Sequence, residues 1–297
     1  MSRGRVVLCA TLLLAQAAAA QNVVILKKAW VNKYMNLATI DASMSVRHGK
    51  HVNQPVKDGD FHFSGVATQV GLPFVAEIMN ARSPNQMAAV TDLRAAAGKP
   101  AKVEVAGVWR LWFEHPAKKQ KQGGKNAFDP DNTSPHHSFE IHPATRVGQR
   151  DLRGAFTTVQ GFTAHKADVA FPFFDKAMAT FKASKSGITI DSKRVVYNYV
   201  RFEIELEAKP TKVADGLIVN ASIVDGDENI VPGTRRMIFV AGTPPALAVA
   251  NASGGDRFEV LGIPRVNLKR VMDLVTQNGT KQFKTQMPYE MIVVGIY

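Results

Sequence analysis

The sequence predicts a mainly β protein in two units: an OB-like five-stranded barrel within residues 21–150, with one helix between strands 3 and 4, and an α+β domain over residues 151–297. Three observations lead there. Several segments of the first half alternate apolar and polar side chains, the period of a strand with one face on a core. One well-marked helix interrupts them after the third strand. At 297 residues the chain exceeds the common size of a single domain.

Residues 1–20 stand apart. Arg3 and Arg5 precede an apolar run from Val6 to Leu14, and Ala18-Ala19-Ala20 offers small residues before Gln21. This is the pattern of a secretory signal peptide, too short for a permanent membrane span, and no later apolar run approaches spanning length. The expected location is periplasmic or extracellular. Cys9, inside that run, is the only cysteine, so an exported chain carries neither disulfides nor thiolate metal ligands.

Residues 21–37 show no clear period. Residues 38–46 then place Ala38, Ile40, Ala42, Met44 and Val46 on one side, and Thr39, Asp41, Ser43 and Ser45 on the other. Residues 47–57 read as a basic loop. Strands follow at 60–66 and 72–79, the latter with Phe74, Ala76 and Ile78 opposite Val75 and Glu77. Ser83 is placed as an N-cap, Pro84 as the first helical residue and Gln86 at capping-box spacing, so residues 84–97 read as a helix that Gly98 stops. A fourth strand covers 102–113, a polar Lys- and Gly-bearing loop 117–135, and a fifth strand 138–147. Five strands with a helix between the third and fourth is the OB order, whose ligand face is strands 2–3 with the loops joining strands 1–2 and 4–5.

The candidate site lies on two of these strands. In Asp58-Gly59-Asp60-Phe61-His62-Phe63 and Phe139-Glu140-Ile141-His142-Pro143, strand alternation sends the apolar residues inward and Asp60, His62, Glu140 and His142 outward. Glu77 leaves its strand opposite the apolar row and can join them. Carboxylates and imidazoles oriented together suit a divalent cation (zinc, manganese or iron) or proton transfer. Taken singly, each residue also has an ordinary reading, Asp58-Gly59 being the dipeptide of a tight turn. Ligand-binding candidates are Arg47, Lys50, Lys118, Lys119, Lys121 and Lys125 in the basic loops, and Trp112 as a stacking surface should Trp109 be the one in the core. His115, His136 and His137 flank the long loop, where solvent is the default.

The order Asp58-Gly59-Asp60-x-His62, Ala76-Glu77-Ile78, Gly107-Val108 and Glu140-Ile141-His142-Pro143 resembles that of a group of secreted bacterial OB-fold-like proteins carrying D-G-D-x-H, A-E-[IF] and E-[LI]-H-P. The resemblance covers about residues 38–147. It implies a shared site and no particular chemistry.

The second unit reads as strand-like at 155–164, helical near 172–183 with Phe174, Met178 and Phe181 at core spacing, and stranded at 195–206, 217–224 and 236–241. A Pro/Ala/Gly loop at 244–255, a helix over 265–276 and a strand at 289–296 complete it. Asp225-Gly226-Asp227 reads as a hairpin turn. No nucleotide loop, nucleophile elbow or zinc motif occurs in it.

The net charge of +12 is uneven: residues 21–150 hold 17 Lys/Arg against 10 Asp/Glu, and residues 151–297 hold 18 against 15. Seven of the eight histidines lie in the first half. Three readings stay open: a binding protein for an anionic or oligomeric ligand such as nucleic acid or glycan; a metal-dependent hydrolase, plausibly on phosphoesters, although no nucleophile is identifiable; and a structural envelope protein.

Overall fold

Strand pairing closes two barrels. The computed structural model describes residues 22–49, 51–115, 119–123, 130–225 and 228–297. The first barrel is made of β1 (Thr39–Gly49), β2 (Phe61–Val66), β3 (Pro73–Ile78), β4 (Val103–Leu111) and β5 (Phe139–Val147). β1 is antiparallel to β2 and β4, β2 to β3, and β4 to β5. β3 runs parallel to β5 through Val75↔Glu140 and Ala76↔Ile141, which completes the ring. The helix α1 (Pro84–Ala96) lies between β3 and β4, so this is the OB order.

Alternation decides what fills the barrel. Ile40, Met44, Phe61, Phe63, Phe74, Ile78, Trp109, Phe139 and Ile141 all point inward and are buried. β4 and β5 come very close at Gly107, where a Cβ would sit 2.5 Å from Ile141 Cγ2 and 2.6 Å from the Pro143 carbonyl. Only glycine tolerates that approach. At the start of α1 the Ser83 hydroxyl donates to the Gln86 side-chain carbonyl and not to the helix backbone. The expected capping residues therefore meet through their side chains.

The second half, expected only as α+β, is built on a barrel of the same order. Its strands are β6 (Val200–Leu206), β7 (Gly216–Asp225), β8 (Arg235–Val240), β9 (Arg257–Val266) and β10 (Tyr289–Ile296). β6 is antiparallel to β7 and β9, β7 to β8, and β9 to β10, while β8 and β10 pair in parallel. The helix α2 (Pro244–Val249) sits between β8 and β9, and α3 (Leu268–Asn278) between β9 and β10. A third sheet joins the halves. In it the strand Asn22–Lys27 pairs antiparallel with Gly187–Ser192 and parallel with Gln120–Lys121.

The barrels pack on each other through a core of their own. Ala38, Met79 and Val108 from the outside of the first barrel meet Tyr199, Leu261, Ile263 and Ile292 of the second. Arg265 on β9 pins the contact. Its Nε donates to Glu290 Oε1 at 2.6 Å, and its remaining N–H groups reach the carbonyls of Leu37, Ala38 and Trp109 at 3.1 Å. The guanidinium lies 3.6 Å from the Trp109 ring centroid, a cation–π contact. In return Arg110 Nε donates to the Pro264 carbonyl at 3.0 Å.

Several expectations are corrected. Arg47 and His48 belong to β1, which continues through a bulge to Gly49, so the first basic loop begins later. Residues 155–164 are not a strand; a 3-10 turn at Arg153–Ala155 precedes irregular chain up to His165–Lys166. The helix expected at 172–183 runs instead over Ala167–Lys176 and gives way to the strand Met178–Ala183. There the period is two: Ala179, Phe181 and Ala183 are buried while Met178 is exposed. The loop at 244–255 contains α2, with Pro244 and Pro245 at its first turn, where proline is tolerated. Among the described residues no helix is long and apolar enough to cross a membrane. The expected signal segment, residues 1–20, lies outside the described residues.

Candidate metal centre

A short loop sets the first donor. Asp58 (φ 109°) and Gly59 (φ 70°) turn the chain into β2. Asp58 Oδ1 accepts from the Asp60 backbone N–H and from the Asn53 side chain, both at 3.0 Å. This Asx arrangement fixes Asp60 at the head of the strand. The β2–β3 register pairs His62 with Glu77, whose side chains are 3.4 Å apart. The parallel β3–β5 register, continued by one residue, brings Glu77 beside His142, Oε2 to Nε2 at 3.5 Å. β4 pairs Arg110 with Glu140.

Asp60, Glu77 and His142 thus converge. Asp60 Oδ2 is 3.3 Å from His142 Nε2, and one ligand atom from each of the three lies within 4.8 Å of the others. The second barrel contributes Tyr199, immediately before β6. Its hydroxyl donates to Asp60 Oδ2 at 2.6 Å and lies 2.9 Å from His142 Nε2. Tyr199 has φ 23° and Tyr197 φ 75°, a conformation that costs side-chain-bearing residues about 1–3 kcal/mol each.

A second group abuts the first. His137 Nε2 is 3.1 Å and His115 Nε2 3.9 Å from Glu140 Oε1, and the two imidazoles stack at 4.5 Å. Arg110 donates to Glu140 Oε2 and, at 2.9 Å, to Glu114. His142 Nδ1, on the side of the ring facing this group, is 3.6 Å from Glu140 Oε2, too far for a hydrogen bond.

Environment separates the titrations. Burial works to raise Glu140, but the Arg110 charge and the neighbouring imidazoles hold it well below the usual carboxylate range. Burial works against protonated His142, yet the charge of Glu77 and the nearness of Asp60 and Glu140 lift it well above an ordinary histidine. Glu77 is raised, chiefly by burial. Tyr199 is pushed well above the ordinary phenol by burial and then by the Asp60 charge. His115 is lowered to about 4 by burial and by His137.

Asp60, Glu77, Glu140 and His142 do leave their strands away from the barrel interior, opposite Phe61, Phe63, Phe139 and Ile141. On alternation alone that outer surface is expected to be solvent. It is not: the second barrel covers it, so Asp60 and His142 are 0% exposed and Glu77 and Glu140 4%. His62 remains partly open, its side chain 17% exposed.

The ligand-binding candidates fare differently. Trp112, proposed as a stacking surface, is 2% exposed and packs edge-on against Phe174 at 5.5 Å, so it is core. Trp109 is core as well. Arg47 is half-buried on β1. Lys119 and Lys121 are exposed, and Lys121 sits on the short strand paired with Ile25 in the third sheet. Lys50, Lys118 and Lys125 lie outside the described residues.

Sequence reading missed Arg110, Glu114 and Tyr199, and left His115 and His137 to solvent. Arg110 carried a signal, being a charge between Trp109 and Leu111 in an otherwise apolar strand. Tyr199 carried none, since it lies 139 residues from Asp60.

No protein-family model matches the chain, and no curated protein matches it significantly in sequence. Among solved structures, one described as "Structural mimicry for functional antagonism" is similar at 10% identity and TM-score 0.19, covering 88% of this chain and 94% of that one. The Ifi202 HINa domain in complex with 20-bp dsDNA is similar at 10% identity and TM-score 0.18, covering 84% of this chain and 99% of that one. Superpositions this poor transfer nothing to this chain beyond what its own strand pairing establishes.

Proposed function

We propose that this chain is a metal-binding protein whose centre is Asp60, Glu77 and His142. The observation that supports this is the convergence of two carboxylates and an imidazole in a buried site where the second carboxylate oxygen of Asp60, Oδ1, has no hydrogen-bond partner among the described residues. Buried polar atoms are ordinarily satisfied, and an ion is one of the few things that explains an exception. The spacing around His142 agrees. Bonds of about 2.0–2.2 Å to a common ion set neighbouring donors roughly 2.9–3.5 Å apart, and Asp60 Oδ2 and Glu77 Oε2 lie 3.3 and 3.5 Å from His142 Nε2.

Charge favours the first group over the second. The guanidinium of Arg110 already occupies Glu140, so His115, His137 and Glu140 face a fixed cation. Among the described residues Asp60 and Glu77 have no comparable neighbour except His62 and His142. Burial beneath the second barrel suits holding an ion more than turning over a large substrate.

Titrating the dialysed full chain with zinc, manganese and iron by calorimetry tests the reading. Stoichiometric uptake by the parent and its loss in His142→Ala, with the fold retained, is the expected result. Equal uptake by both proteins contradicts it.

The polyanion reading rests on different residues. The site's own face carries Asp58, Asp60, Glu77, Glu114 and Glu140, which repel phosphate; nucleic acid or glycan would instead meet exposed Lys119 and Lys121. Binding that weakens with salt and with Lys119→Ser plus Lys121→Ser would support it. Export remains part of the proposal, and a mature N-terminus at Gln21 is its test.

A further inference from the structure

We infer that Tyr199 is a phenolate ligand of the same centre and that the ion is therefore a hard trivalent cation, ferric iron in particular; this rests on the metal-binding reading above. The geometry comes first. The Tyr199 oxygen is 2.6 Å from Asp60 Oδ2 and 2.9 Å from His142 Nε2. The Tyr199 oxygen thus borders two of the three donors, and an ion that displaces its proton from the hydrogen bond to Asp60 has that oxygen beside it. The donors become three oxygens and one nitrogen.

The backbone is the second observation. Tyr197 and Tyr199 both hold positive φ, which L-residues adopt only where surrounding structure overrides the cost, typically at functional sites. Here the strained stretch delivers the hydroxyl from one barrel into the carboxylates of the other.

Charge balance selects the ion. Two carboxylates and a phenolate carry three negative charges, and His142 as a ligand is neutral. Asp60 and His142 are 0% and Tyr199 1% exposed, and uncompensated charge at such depth is costly. With Tyr199 as phenolate a trivalent cation brings the set to neutrality; a divalent one is already balanced by the two carboxylates and leaves the phenol protonated, so the trivalent assignment follows from the phenolate. Oxygen-rich anionic sets also suit hard ions over soft ones. On binding, the phenol O–H proton and the proton on His142 Nε2 leave to solvent as the oxygen–metal and nitrogen–metal bonds form, and no electron is transferred.

The test is visible absorption of the full chain loaded with ferric ion from a nitrilotriacetate chelate, beside Tyr199→Phe, with iron content and circular dichroism measured on both. Phenolate–ferric charge transfer colours the parent. Tyr199→Phe keeps the ring and the fold, and the expected result is that it retains some iron but loses the band, with ferric affinity falling at least ~10-fold. Iron bound by the parent without the band, or a band unchanged in Tyr199→Phe, overturns the phenolate assignment and leaves the metal reading standing. No uptake of iron, zinc or manganese by the parent overturns both.

Discussion

The hydroxyl of Tyr199 donates to Asp60 Oδ2 at 2.6 Å, although the two residues belong to different barrels. Asp60 closes the loop before β2, and Tyr199 immediately precedes β6. Their contact makes the centre a property of the packed pair of barrels and not of the first alone. Asp60→Asn preserves the shape while removing one anionic donor. It is expected to lower metal affinity by at least the ~10–100-fold that loss of an outer partner costs elsewhere. Calorimetry with the two proteins side by side measures this, and unchanged affinity would remove Asp60 from the centre.

Arg110 is the internal counter-ion of the second group. It is 1% exposed and holds both Glu140 and Glu114. Arg110→Met leaves a buried carboxylate without its cation, a change that costs about 3–5 kcal/mol. Urea unfolding should show the loss. Arg110→Lys, which keeps the charge but not the forked geometry, should lie between the two.

His115 gives a pH signature with a definite sign. It faces His137, Glu140, Glu114 and Arg110, and is lowered to about 4 in the folded chain. Unfolded, it takes a proton near its ordinary value of about 6.5. Between those limits the unfolded state binds more protons, so folding stability falls as pH drops. His115→Gln removes that penalty. The variant should lose less stability than the parent between neutral pH and about pH 4, and the difference should vanish above neutrality. Parallel stability curves from pH 7 to 4 would show that His115 is not the group responsible.

Arg265 tests the barrel contact. Arg265→Met deletes its bonds to three carbonyls of the first barrel and the stack on Trp109. Glu290 keeps Arg236 as a partner at 2.6 Å, so the expected cost is the lower end for a buried pair, about 3 kcal/mol. Hydrogen exchange should quicken at Val108 and Tyr199 on either side of the contact. Exchange unchanged at both would mean that the apolar core alone holds the barrels together.

Much of the first barrel was legible because one-sided burial imposes a period of two. Ile40, Ala42, Met44 and Val46, and again Phe61 and Phe63, announce both the strand and its inner face. The same rule placed Asp60, Glu77, Glu140 and His142 on the other face. What covers that face was not legible, because Tyr199 and Leu261 reach it through pairing between distant segments that leaves no local pattern. For the same reason the second barrel was read only as α+β. Its closure depends on the parallel contact of β8 with β10, whose partners such as Met237 and Met291 are distant in sequence. The strand Met178–Ala183 was mistaken for helix because Phe174, Met178 and Phe181 fall at helical spacing by coincidence, while Ala179 and Ala183, the small residues that mark the buried face, are weak signals.

The most direct test of the central claim is elemental analysis of the full chain purified without chelators, set beside His142→Ala prepared identically. Metal near one equivalent in the parent, and little in the variant at equal folded content, is the result expected from a centre at Asp60, Glu77 and His142. A parent that carries no metal, and takes none up when it is offered, would contradict it and leave the convergence as a buried hydrogen-bonded cluster between two barrels.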